Sequence, residues 1–168
     1  PAGRNKVERS DRGLDHGAWV PLRVLFPAAD VPVLQLSLPR SATPAELVRL
    51  GRALRPLRAA GVLLLGSGNL VHNLSTLDRS ETRGPAAWAV AFDAWLAARV
   101  EAWDLDALVE WRTAAPSPTL AHPTDEHLRP LFVCLGAAEG DAVRWPVTGF
   151  EHGDTSRRCA QFGEWSPG

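Results

Sequence analysis

Several things are scarce in this sequence of 168 residues, and each scarcity excludes something. It has a single lysine, Lys6, and no methionine; arginine carries nearly all of the positive charge and alanine is abundant, a bias of a GC-rich coding sequence. Net charge is absent too: 18 basic residues against 19 acidic ones leave −1. A near-neutral chain has no overall field to hold nucleic acid or an anionic membrane surface. Cysteine is limited to Cys134 and Cys159, neither in a CxxC pair, so zinc-ribbon, thioredoxin and disulfide-framework readings fall away. No apolar run approaches the ~18 residues that a bilayer span requires, and no secretory leader opens the sequence. The chain reads as a soluble, cytoplasmic protein.

The content is that of one globular domain: 45% hydrophobic and 22% charged residues, enough apolar material for one core. His16 to Phe26 is amphipathic and stops at Pro27, a short helix. Val31 to Leu38 (VPVLQLSL) is rich in strand-forming residues and is expected to be a strand. Pro44 suits a first helical turn with Thr43 as its N-cap, and Leu47, Leu50, Leu54 and Leu57 recur at helical spacing. Gly61 ends that helix, and Val62 to Leu65 is a continuous apolar run of the kind that fills a parallel sheet covered on both faces. The order strand, helix, strand predicts a right-handed βαβ unit. Further helices are expected over Pro85 to Trp103, Asp106 to Arg112 and Asp125 to Ala137, and strands over Val143 to Phe150 and Arg157 to Phe162. The fold class expected is therefore α/β, a central mostly parallel or mixed sheet flanked by helices.

Four of the five histidines stand in unusual contexts. His16 lies in Gly-Leu-Asp-His-Gly-Ala-Trp (13–19) at a helix start. His72 lies in GSGNLVHNL (66–74) directly after the second expected strand, where open α/β sheets build their sites. His122 and His127 lie in AHPTDEH (121–127) at another helix start. The positive end of a helix dipole favours neutral imidazole, the form that ligates metal or accepts a proton. Each also has a plain structural role available: His16 as a helix-start residue, His72 in a turn, His122 as a shaper of the turn before Pro123, His127 as a first-turn residue. His152 reads as a surface residue, and the tryptophans as core. GSGN lacks the Lys-Ser/Thr ending of a phosphate loop and the GxGxxG pattern. Asn69 and Asn73 suit side-chain bonds that hold the His72 loop.

These motifs, in this order, resemble the 4,5-DOPA dioxygenase-like (DODA-type) family of class III extradiol ring-cleavage dioxygenases. LDHGAWVPL, VPVLQLSL, GVLLLGSGNLVHNL and HPTDEHLRPLFVCLGAA carry the resemblance, over roughly positions 13 to 150. It implies a class III extradiol dioxygenase-like fold and a non-haem metal, Fe(II) or Zn(II), with a catechol-type small molecule and O2 as substrates. It implies that His72 and His127 match metal-site residues and that His16 matches a histidine near the substrate. Whether His72 is a ligand or a base beside the metal stays open. Ring opening asks for a metal with open positions, a base for a catechol proton and an acid to return one; histidine suits both proton roles. His16 and His72 are the candidates for that work. His122, Asn69, Glu126 and Asp15 are the candidates for substrate contact or for orienting an imidazole. The family's HGSP-type and AHW-type segments, with two further histidines, have no counterpart here. The resemblance thus implies the C-terminal portion of a longer catalytic domain, residues 1–168 forming one unit of it. The segment Gly153 to Arg158 departs from the family's GSLSM-like turn. The alternatives are a truncated or degenerate relative without activity and a metal-dependent hydrolase.

Overall fold

A computed structural model describes residues 7–80 and 82–164. It divides into two compact units, one ending at Ser37 and one beginning at Leu38.

The first unit holds one helix, α1 (His16–Leu25). Asp15 caps it, Oδ1 accepting from the Ala18 N–H at 3.1 Å, while Oδ2 accepts from Gln35 Nε2 at 2.6 Å. The stretch expected to be a strand from Val31 forms no strand and is unpaired, and Leu34 is 99% exposed.

In the second unit, α2 (Pro44–Ala59) begins as its sequence dictates. Pro44 occupies the first turn, and Thr43 and Glu46 form a reciprocal capping box. After α2 the chain passes through the GSGNLVHN segment to a short 3-10 turn (Leu74–Thr76) and then α3 (Ala87–Glu101). The short helices α4 (Leu105–Val109), α5 (Trp111–Ala114) and α6 (Pro118–Ala121) lead to α7 (Arg129–Ala138). The expected Asp106–Arg112 helix is split at Glu110, and α7 starts four residues later than expected. Pro130 sits in the first turn of α7, where a missing N–H costs nothing; further inside it would break the helix.

Among the described residues the expected central sheet is not formed. The strands present form two small antiparallel pairs, β1 (Val143–Val147) with β4 (Cys159–Phe162), and β2 (Phe150–Glu151) with β3 (Thr155–Ser156). Gly149, at φ +99°, divides what the sequence suggested was one strand. The apolar run from Val62 forms no strand, and Leu63 is 65% exposed. Its composition reports that it favours burial, but a strand also needs a neighbour for its hydrogen bonds, and none pairs with it among the described residues.

The core of this unit lies between α2, α3 and α7 and includes Leu47, Phe92, Leu96, Trp111, Leu128, Phe132 and Leu135. Of the tryptophans, Trp111 is fully buried and Trp88, Trp95, Trp103 and Trp145 pack at its margin, whereas Trp19 in the first unit is exposed. Burial pushes the Cys134 thiol up to about 11, as befits a small apolar packing residue. Among the described residues no helix is long and apolar enough to cross a membrane.

Candidate metal centre

Two loops of the second unit meet back to back. Asn69 N–H donates to the His127 carbonyl at 3.0 Å, and His72 N–H donates to the Ala121 carbonyl at 2.9 Å. Gly68 makes the approach possible, since a Cβ there would stand 2.0 Å from the His127 oxygen. Asn73 donates from Nδ2 to the Leu120 carbonyl at 2.8 Å, while its Oδ1 caps the 3-10 turn by accepting from Ser75. These bonds bring His72 and His127, far apart in sequence, ring against ring: their centroids are 3.6 Å apart and their planes differ by 15°.

The electrostatics favour a neutral His72 ring. Burial holds the His72 imidazole below its usual pKa, the neighbouring His127 pushes in the same direction, and Glu126 opposes them. Glu126 Oε1 lies 3.8 Å from His127 Nδ1 and accepts from the Thr124 hydroxyl at 2.8 Å. Backbone and Thr124 hydrogen bonds keep its carboxyl below the ordinary range. His127 Nδ1 is buried and has no hydrogen-bond partner. An unbonded imidazole nitrogen beside the neutral His72 ring offers nitrogen donors of the kind that suit a divalent metal. Among the described residues no group of three or more His, Cys, Asp or Glu side chains converges to hold an ion.

His122 stands behind this pair. It is fully buried, 5.6 Å by centroid from both Phe92 and Trp111. Its Nε2 is 2.9 Å from the Leu70 carbonyl, so Nε2 carries the proton and holds the strand of backbone leading to His72. Burial drives its pKa from 6.5 down to about 4, further than the Leu70 hydrogen bond raises it. A depressed folded-state pKa means that the unfolded chain takes up this proton first. The stability it protects is therefore complete above pH 6.5 and is lost as pH falls toward 4. Between pH 7.5 and pH 5 this one group should cost about 2 kcal/mol. Urea unfolding at the two pH values measures it, and His122→Asn should flatten that slope.

Of the other candidates, Asn69 joins the site through its backbone and through Nδ2, which donates to the Ser156 carbonyl at 3.3 Å. His16 and Asp15 belong to the first unit. His16 is exposed as the first residue of α1, and Asp15 spends both carboxylate oxygens on the helix cap and Gln35. His152 is exposed in the β2–β3 turn, as its sequence position suggested. A cleft of about 410 Å³ is lined by residues including Thr43, Val109, Trp111, Arg112 and Asp125; neither His72 nor His127 borders it. Sequence reasoning missed Asp93 and Ser156, both buried behind the His72 loop. The signal was available for the first: a single carboxylate inside the apolar helix AWAVAFDAWLAARVE demands a partner.

The family described as the catalytic LigB subunit of aromatic ring-opening dioxygenase matches residues 4–165, and the chain belongs to that family. It is 44% identical over 127 residues to 4,5-DOPA dioxygenase extradiol of Beta vulgaris, covering 76% of this chain and 47% of that one. It is 37% identical over 162 residues to the protein of the same name from Escherichia coli (strain K12), covering 94% of this chain and 59% of that one. The crystal structure of an uncharacterized protein from Escherichia coli K12 superposes with a TM-score of 0.86 at 35% identity, covering 94% of this chain and 66% of that one. The chain thus spans about half the length of the curated relatives it matches.

Proposed function

We propose that this chain carries the metal-holding part of an extradiol dioxygenase, an enzyme that opens catechol-type aromatic rings with O2 at a non-haem Fe(II) or Zn(II). The observation that carries the reading is the stacked His72–His127 pair with its unbonded, buried Nδ1, in a chain of the ring-opening dioxygenase family. His72 and His127 would hold the metal, which supplies Lewis acidity and open coordination positions for a bidentate catechol. The lowered pKa of His72 keeps its ring neutral and ready to ligate near neutral pH. Glu126, its carboxylate 3.8 Å from His127 Nδ1, supplies negative charge beside the metal-holding pair. His16 takes a catechol hydroxyl proton on its imidazole.

Two imidazoles alone hold a divalent ion weakly, so the reading includes further donors. We place them in the part of the family's fold that this chain does not span, making residues 1–168 the C-terminal portion of a larger catalytic domain. The unpaired apolar segments at Leu34 and Leu63 have the chemistry of strands that accept neighbours.

The test is oxygen consumption by an Fe(II)-loaded protein that joins this chain to the rest of the family's fold. Catechol-dependent uptake is expected, abolished by His72→Ala and reduced ~10²- to 10⁴-fold by His16→Ala, the range for loss of a general base. Uptake that ignores catechol, or that His72→Ala leaves intact, would overturn it.

A further inference from the structure

α3 is apolar on nearly every side, yet Asp93 lies in its middle at 4% exposure. A carboxylate so placed is costly unless its oxygens are bonded. Here they are. Ser156 Oγ donates to Oδ1 at 2.6 Å, and Arg158 donates from Nε to Oδ2 at 2.9 Å and from Nη2 to Oδ2 at 2.7 Å. Ser156 Oγ in turn accepts the Arg158 backbone N–H at 3.1 Å, and the guanidinium lies 5.0 Å from the Trp145 ring centroid. The buried ion pair thus clamps β3 and the residues after it onto α3.

Ser156 faces the opposite way with its backbone. Its carbonyl accepts from Asn69 Nδ2 at 3.3 Å, and its N–H donates to the Val71 carbonyl at 3.4 Å. Those two residues bracket Leu70 and lead directly to His72. Asn69 is also the residue whose N–H grips the His127 carbonyl. Both bonds from Ser156 are near the outer limit of length, so a small displacement of Ser156 breaks them. None of the three clamp residues is seen bonded to either imidazole.

We infer that Asp93, Ser156 and Arg158 are positioning residues: the clamp fixes Ser156, Ser156 fixes the 69–72 segment, and that segment sets His72 against His127. For its catalytic consequence the inference rests on the metal reading of that pair, but the geometry itself can be tested in the metal-free chain.

The experiment is long-range proton–nitrogen NMR of the histidine rings, with ring-to-ring NOEs, in metal-free protein. Ser156→Ala should shift and broaden the His72 signals and weaken the His72–His127 NOE several-fold, leaving His16 unmoved. Ser156→Thr, which keeps the hydroxyl, should restore them. Val100→Ala, a core truncation elsewhere on α3, should lower stability without moving the His72 signals. If Ser156→Ala does not fold, Arg158→Lys keeps the charge, loses the two-nitrogen clamp, and should shift the same signals less far. His72 signals that move no more in Ser156→Ala or Arg158→Lys than in Val100→Ala would overturn the inference. A failed oxygen-uptake assay with intact His72 shifts would instead count against the dioxygenase reading alone.

Discussion

Gly68→Ala is expected to lose both stability and function. The added Cβ would stand 2.0 Å from the His127 carbonyl oxygen and 3.0 Å from its carbon. Both are backbone atoms and cannot swing aside as a side chain would. The same carbonyl accepts the Asn69 N–H, so the loops must separate and that hydrogen bond must go. Overpacking of this kind costs about 1–3 kcal/mol, with the lost hydrogen bond adding about 1. The displacement also moves His127 away from His72, so metal uptake should fall with stability. Urea unfolding and metal titration of the variant check both; wild-type values in both would mean that the loops do not meet as described.

Gly136→Ala sets two effects of opposite sign against each other. In a helix interior alanine is favoured over glycine by about 1 kcal/mol. At this position, however, the Cβ would stand 2.0 Å from the Val48 carbonyl oxygen on α2. Gly51 on α2 is the reciprocal case, its Cβ 2.0 Å from the Val133 oxygen on α7. The two helices therefore cross in backbone contact, with a glycine from each at the crossing. Separating them would open the packing around Leu47, Val48, Phe132 and Leu135, where lost contact costs several kcal/mol. Sterics win, and a net loss of about 2 kcal/mol or more is expected. Gly84→Ala is the control: nothing lies within 4 Å of its Cβ, and it should stay within about 0.5 kcal/mol of wild type. Denaturant midpoints for the two variants decide the matter; equal midpoints would refute the close crossing.

Much of the helical structure was legible because its signals are local. Thr43, Pro44 and the leucine spacing placed α2, and Pro27 bounded α1, without any knowledge of partners. The strands were not legible in the same way. Val31–Leu38 and Val62–Leu65 have strand composition, but pairing depends on a second segment, and the described residues provide none. The start of α7 was misplaced because Thr124, Asp125 and Glu126 look like a helix N-terminus, whereas Pro130 fixes the true first turn. At the site, His72, His122 and His127 stood out through their motifs. Their arrangement did not: no local pattern tells that rings 55 positions apart stack, or that His122 turns inward to the Leu70 carbonyl. The Asp93–Ser156 contact is hidden for the same reason, since it joins a helix to a short strand 63 residues later.

The most direct test of the central claim is anaerobic Fe(II) uptake, measured by equilibrium dialysis of the wild-type chain beside His72→Ala and His127→Ala. The account predicts weak but measurable iron retention by the wild type that either substitution abolishes. Retention by the wild type that matches that of the two variants would contradict it, because the stacked pair would then not be the place where the metal is held.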